Sequence, residues 1–405
     1  MKQKRNSAKA KTGGGFSPPF PRGRVIDVPD RLPWFSERQR AMLETIRQIV
    51  EIESPSDHKT SVDRLSRYLA GKFETLGGHS KLHRALDFGD HLQVDFPGRD
   101  RRKPVLLLGH LDTVYPLGSL ANMPCREAGG RLSGPGVLDM KAGIALMLYA
   151  VDALRDQGGR LPRAIIVLLV SDEEVGSSSS RRITEELAKR SAAVFVLEPS
   201  YGPKGALKTS RKGVGEYSLK VTGKAAHAGL DFDQGHSAIV ELARQIERIT
   251  KLVDRKRGLT VNVGLIQGGT RVNVIPAEAT ARIDVRVLRA PDSAGIDRKL
   301  RSLKAIDRQC KLAVAGGVNR PPMERTRGVV ELFRHACELA KQMGWKLEEA
   351  AVGGGSDGNF TAALGIPTLD GLGAVGEGAH APSESITISE LGRRAALLAA
   401  LIETT

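Results

Sequence analysis

Three aliphatic stretches of this sequence each end on groups able to do chemistry. "VLLLGHLDTV" (105–114) runs into His110 and Asp112, "AIIVLLVSDEE" (164–174) into Glu173 and Glu174, and "AVFVLEPS" (193–200) into Glu198. "SGPGVLDMKAG" adds Asp139 at an expected helix start after a Pro-Gly turn, and "GEGAHAPSE" adds His380 in a glycine-rich loop. Singly, each has a structural explanation: a histidine near a strand end is often just hydrogen-bonded, and carboxylates at a helix start cap it. Together, His110, Asp139, Glu174, Glu198 and His380 form a cluster whose carboxylates repel one another unless cations sit among them. Two imidazoles and three carboxylates suit two borderline divalent ions that share one bridging carboxylate. Such a pair activates a water and clamps a carbonyl oxygen. Of the neighbours Glu173 and Glu174, one binds metal and the other stays free as general base. Asp112 either orients the His110 imidazole or approaches the metal from the outer side.

The elements that position these groups are legible from their periods. The three aliphatic runs are short, nearly continuous and separated by helix-length segments such as "DMKAGIALMLYAVDALRDQG", which is the pattern of a parallel sheet covered on both faces. In an open α/β sheet, ligands gather beyond the carboxyl ends of the strands, where all these polar residues fall. Segments 38–53 and 61–77 have helical spacing. From 213 to 320 the order is β-α-β-β-α-β, with a second helix expected over 294–309. The expected fold is therefore α/β: a mostly parallel-sheet catalytic domain sandwiched by helices (31–212 and 321–405), with an inserted ferredoxin-like domain (213–320). The last segment opens with Thr387 and Glu390 at capping-box spacing and continues as a core-packing helix.

Composition narrows the classes. The chain has 405 residues, 40% hydrophobic and 26% charged, the mixture of a folded protein. Aromatics are 4%, too few for a base-stacking surface, so no nucleic-acid partner is expected. The net charge of +15 owes part of its size to the first 24 residues, which carry seven Lys and Arg and no acid. Residues 1–30 read as a disordered basic tail without the apolar core of a secretory signal. No apolar run is long enough to span a bilayer, so no membrane partner and a cytoplasmic location are expected. Cys125, Cys310 and Cys337 lack the spacing of a thiolate metal site or a disulfide framework. "AVGGGSDGNF" (351–360) lacks the Gly-Lys-Ser/Thr ending of a phosphate loop. Arg320 and Lys212 sit at the two crossings into the insert, where either reads an acidic group or is simply solvated.

In order, "GHLDTV", "GPGVLDMKAG", "SDEEVGS", "VLEPS", "GKAAHAG", "RVNVIPAEATARIDVR", "GGGSDGN" and "GEGAHAPSE" resemble the zinc metallopeptidase family of glutamate carboxypeptidase, acetylornithine deacetylase and succinyl-diaminopimelate desuccinylase. The resemblance covers roughly 38–402 and leans to the glutamate carboxypeptidase branch. It implies two zinc ions, with cobalt or manganese as substitutes. His110 and Glu198 then bind one ion, Glu174 and His380 the other, Asp139 bridges, Glu173 is the general base and Asp112 supports His110. It further implies a homodimer through 213–320, in which His227 reaches the neighbouring site and helps hold the oxyanion. Asn273 and Arg286 would hold a small substrate's carboxylate, and Gly354, Gly355 and Ser356 would line its pocket. The implied reaction is hydrolysis of an amide by a metal-bridging hydroxide, releasing a C-terminal amino acid, glutamate by preference. An N-acyl-amino-acid deacylase of the acetylornithine type would share every metal residue.

Overall fold

The computed structural model describes residues 30–156 and 159–405, so the expected basic tail lies, Asp30 apart, outside the described residues. The chain opens with α1 (Leu32–Glu37), α2 (Gln39–Val50) and α3 (Lys59–Thr75), followed by β1 (His79–His83), β2 (His91–Phe96) and β3 (Val105–His110). Next come β4 (Arg126–Ala128), β5 (Arg131–Ser133), α4 (Ala142–Asp156), β6 (Ile165–Val170), α5 (Arg181–Arg190), β7 (Ala193–Val196) and β8 (Leu207–Arg211). The insert supplies β9 (Gly213–Thr222), α6 (Ala238–Thr250), β10 (Thr260–Gly268), β11 (Glu278–Val287), α7 (Ala290–Arg301) and β12 (Lys311–Arg320). The chain then returns through α8 (Arg327–Gln342), β13 (Glu349–Val352), α9 (Gly358–Ala363), β14 (Thr368–Leu369), β15 (Gly376–Glu377), β16 (Ser385–Thr387) and α10 (Leu391–Thr404).

The main sheet has the order β1-β2-β6-β3-β7-β14. Its β6-β3-β7-β14 portion is parallel, and β2 and β1 extend it antiparallel at one edge. Every residue of β3 and β6 is buried, which is why β6 is aliphatic throughout and β3 is aliphatic up to Gly109 and His110. Alternate side chains serve opposite layers. Leu107, Val167 and Phe195 join the larger core with α2, α3, α4, α8 and α10, whereas Leu106, Leu108, Ile166 and Val194 pack with Leu187 and Ala188 of α5. The insert is a separate antiparallel sheet, β10-β11-β9-β12, with its own core around Tyr217, Leu219 and Ile283. Strand β9 buries alternate residues, as expected for a sheet with one covered face.

Local expectations fail in three places. Helix α7 starts at Ala290, not 294, because Pro291 sits in the first turn, where its missing N–H is no loss. The chain leaves the helix at Ser302, and the backbone N–H groups of Ile306 and Asp307 instead donate to Glu241 of α6, each at 2.9 Å. Thr387 makes no capping bond: it pairs with Arg131 in the β16–β5 ladder, and α10 begins at Leu391. Asp139 lies before α4 rather than in it, with φ −114° and ψ 91° and a cis peptide bond to Met140. The three cysteines are free thiols. Among the described residues no helix is long and apolar enough to cross a membrane.

Leu107 is wholly buried at the centre of β3, the strand that carries His110. Leu107→Ala is expected to lower the unfolding free energy by about 2–5 kcal/mol, read from the urea midpoint at unchanged slope. A loss under about 1 kcal/mol would contradict this core assignment.

Candidate metal centre

Strand β3 ends on His110, β7 runs into Glu198, and the turn after β6 carries Glu173 and Glu174, so all four reach the carboxyl edge of the parallel strands. Asp139 faces two ways there. Its Oδ1 is 3.1 Å from His110 Nε2, and its Oδ2 is 3.4 Å from His380 Nε2. On the first side His110 Nε2 lies 3.6 Å from Glu198 Oε1, and on the second His380 Nε2 lies 3.3 Å from Glu174 Oε2. Ligand atoms of His110, Asp139 and Glu174 fall within 4.8 Å of one another, as do those of His110, Glu173 and Glu198. All five residues of the expected ligand set are thus brought together, with Glu173 beside them.

The backbone is shaped to allow this. His380 holds φ +62°, a left-handed conformation that a non-glycine residue rarely adopts, and such outliers gather at functional sites. Gly143 and Gly373 let α4 and the loop after β14 close on the Leu197 carbonyl beside Glu198: a Cβ at either would lie 2.2 Å from that oxygen.

Electrostatics show what the cluster requires. Burial and the Asp139 charge push Glu198 up to about 7, and burial lifts Glu173 well above the usual carboxylate range against the pull of Arg320. Burial alone would depress His110, but bonds to Asp112 and Asp139 raise it well above the ordinary histidine value. Bonds to Asp139 and Glu174 raise His380 to about 10. Carboxylates crowded in this way hold positive charge strongly, and Glu174 Oε1 is buried with no hydrogen-bond partner. His110 Nδ1 lies 2.9 Å from the carbonyl oxygen of Asp112, which only accepts, so the proton belongs on Nδ1 and Nε2 is free for a metal. The donors fit two borderline divalent ions.

A second ring of groups fixes the ligands. The Asp112 carboxylate accepts from Ser56 Oγ (2.7 Å) and from the backbone N–H of Glu173 (3.2 Å) and Glu174 (3.1 Å). Its hold on the His110 ring comes mainly from its carbonyl, and its carboxylate sets the Glu173–Glu174 turn. Arg320, expected at a domain crossing, is 8% exposed and turned into the site. Its Nη2 lies 3.0 Å from the Glu173 carboxylate and donates to the Glu173 carbonyl (2.8 Å), Ser177 Oγ (2.8 Å) and Asp357 (3.1 Å). In this arrangement it is paired with the Glu173 carboxylate.

Two supporting residues escape sequence reasoning. Arg211 grips Asp370 with two 2.8 Å bonds and reaches Glu198 Oε2 at 3.3 Å. Glu384 accepts from the backbone N–H of Gly136 (3.2 Å), Leu138 (2.7 Å) and Asp139 (2.9 Å) and from the Tyr115 hydroxyl (2.5 Å), fixing the turn that presents Asp139. Glu384 ends a motif already singled out and Arg211 ends a strand, but only their distant partners reveal their roles.

The remaining expected residues lie apart from the cluster. His227 is exposed on the insert, its Nδ1 accepting from Gly229 and Leu230, each at 3.1 Å. Asn273 is held beside it, its carbonyl accepting from Ala228 N at 3.0 Å. Arg286, in β11, bonds Asp284. None of these bonds reaches the clustered ligand candidates. Gly354 and Gly355 lie next to the site, their carbonyls accepting from Arg211 at 3.4 and 3.0 Å, whereas the Ser356 hydroxyl is buried and donates to Asp370.

Residues 106–404 match the sequence profile of Peptidase family M20/M25/M40. The chain belongs to this family. It is 31% identical over 375 residues to carboxypeptidase G2 of Pseudomonas sp. (strain RS-16), covering 91% of this chain and 90% of that protein. Among solved structures, aminopeptidase PepT from Bacillus cereus superposes with a TM-score of 0.78 at 24% identity, covering 90% of this chain and 98% of that one. The M20 family metallo-carboxypeptidase Sso-CP2 from Sulfolobus solfataricus gives 0.69 at 18%, covering 90% and 98%. These two likenesses establish the fold. Membership makes the chain a metallopeptidase, a hydrolase of the carboxypeptidase kind.

Two substitutions test the second ring. Glu384→Ala is expected to weaken metal affinity about 10- to 100-fold, measured by chelator competition. Arg320→Met is expected to lower kcat by a similar factor with metal content intact. Unchanged values would remove these residues from the site's support.

Proposed function

We propose that this metallopeptidase binds two zinc ions and releases a C-terminal amino acid, with glutamate preferred, from N-acyl or peptidyl substrates. The observation that carries the reading is the two-sided placement of Asp139, 3.1 Å from His110 and 3.4 Å from His380, with Glu173 alongside. The similarity to carboxypeptidase G2 supports release of a C-terminal amino acid. Zinc suits the mixed nitrogen and oxygen donors, and cobalt or manganese would substitute.

In this reading His110 and Glu198 hold one ion, Glu174 and His380 the other, and Asp139 lies between. When bound, the ions bring the pKa of a water to around 7 and polarise the scissile carbonyl. Glu173 takes the proton of the attacking water and delivers it to the leaving nitrogen. Burial raises the Glu173 pKa above the usual carboxylate range, which strengthens it as a proton acceptor. Asp112 and Arg320 keep Glu173 in place while this happens. Asn273 and Arg286 hold the free carboxylate of the substrate, the planar guanidinium by a forked contact.

His227 of the partner subunit completes the site by donating to the developing oxyanion. A homodimer through 213–320 is supported by the surface of the insert. Strand β10 is an unpaired sheet edge, and Leu265, Ile266 and Val272 are 67%, 65% and 105% exposed. A row of free backbone groups beside exposed aliphatic side chains is suited to a second copy.

The test is a panel of N-acyl and dipeptidyl amino acids ending in glutamate, ornithine, alanine or leucine, assayed after chelation and again after zinc restoration. Zinc-dependent release that favours glutamate is expected, and preference for another residue would replace the substrate. Glu173→Gln is expected to lose about 10²- to 10⁴-fold in kcat while retaining its metal. Activity unaffected by that change would refute the proposed proton transfer.

A further inference from the structure

Strand β8 pairs in parallel with β13, and its register jumps: Ala350 faces Lys208, but Ala351 faces Ser210. Thr209 is therefore an extra residue, a bulge of the kind that re-aims side chains near active sites. Under strict alternation, residues three apart point to opposite faces of a strand. The bulge turns Lys208 and Arg211 to the same face, and both act on Asp370 and Glu198. Thr209 points elsewhere, its hydroxyl donating to Glu349 at 2.7 Å.

The two cations differ in what they hold. Arg211 is committed to Asp370, Glu198 and the carbonyls of Gly354 and Gly355. Lys208 is 8% exposed, and its ammonium has no hydrogen-bond or ion-pair partner among the described residues. Its backbone is pinned to Asp370, with its N–H donating at 2.8 Å, and its stem lies along Gly371, where a Cβ would meet Lys208 Cγ at 3.2 Å. The carboxylates of Asp370, Glu198 and Asp139 attract the ammonium without bonding it. An ammonium that no protein group bonds, on a stem otherwise packed against the fold, is open to an incoming anion.

We propose that Lys208 is the anion reader of the catalytic cleft, its ammonium binding a carboxylate of the substrate beside the metal ligands. The inference rests on the carboxypeptidase reading and deepens it, because it assigns recognition to the sheet-bearing unit as well as to Arg286 of the insert. The carboxylate is either the terminal one or that of an acidic side chain. Both present the same chemistry to the ammonium, and the test separates them.

Wild-type enzyme, Lys208→Met and Lys208→Arg are compared, zinc-loaded, on N-benzoyl-glutamate, N-benzoyl-glutamine and the α-amide of N-benzoyl-glutamate. Lys208→Met is expected to raise KM for N-benzoyl-glutamate about 10- to 100-fold with a much smaller change in kcat, and Lys208→Arg to recover part of it. The substitution should have little further effect on the one substrate that lacks the carboxylate Lys208 reads, the glutamine compound or the amide. An equal loss on all three substrates, or a loss traced to lower zinc content, would show Lys208 to be a counter-charge for the ligands and overturn the proposal. Calorimetric binding of L-glutamate to the same zinc-loaded proteins gives a second readout independent of turnover. Weaker binding by Lys208→Met supports the site even if the wild type cleaves none of the substrates, which would sink only the carboxypeptidase reading. Equal binding by both proteins, or none by the wild type, overturns the site.

Discussion

Carboxylates gathered at the edge of a buried sheet cannot all be ionised without positive charge among them, and the rest of this structure is arranged around that constraint. Asp139 is pulled well below the usual carboxylate range, although its burial alone would raise it, because an imidazole stands on either side. Glu198 and Glu173, whose cationic neighbours are fewer, are pushed the other way. Divalent metal bound among these donors would answer this imbalance with more charge in less space than any set of side chains can supply. The donors need only be held still, and the second ring does that.

That ring ties the insert to the chemistry. Arg211 is the last residue of β8, just before the insert begins, and Arg320 is the last residue of β12, where the insert ends. One reaches Glu198 and Asp370, and the other reaches Glu173 and Asp357. Asn319 adds a bond to the Gly176 carbonyl at 2.8 Å. Both connections between the units are thus pinned by buried ion pairs that touch a ligand or its neighbouring base. Removing one partner from such a pair leaves an uncompensated charge in the interior, so the anchors are hard to vary independently of the site.

What could be read from the sequence follows from range. The convergence of His110, Glu174 and Glu198 was legible because each sits just after an aliphatic run, and a buried parallel strand advertises its end. The insert was legible because its one-faced strands and amphipathic helices alternate with distinct periods. Glu384 and Arg211 were not, because their meaning depends on partners 245 and 159 residues away in the chain, Asp139 and Asp370. The contacts of Arg320 were not legible for a related reason: an arginine at a crossing reads an acidic group or is solvated, and only the fold brings Ser177 and Asp357 to it. The end of α7 depended on Glu241, in a different helix, capturing two backbone donors.

Once the metal ligands and their supports are assigned, few cations near the site remain for recognition. The side chains that stabilise the cluster must keep their partners through every turnover, so selectivity falls to groups with no protein partner of comparable strength. This produces an asymmetry between substrates. A ligand bearing a carboxylate would pair with a cation that no protein group bonds, whereas one lacking it would displace water from that cation and leave it unpaired, a larger difference than a merely missing contact. Discrimination of this kind is strong for charge and weak for shape. Under the proposed Lys208 contact, the enzyme would select the acidic character of what it releases more sharply than the acyl group from which it is released.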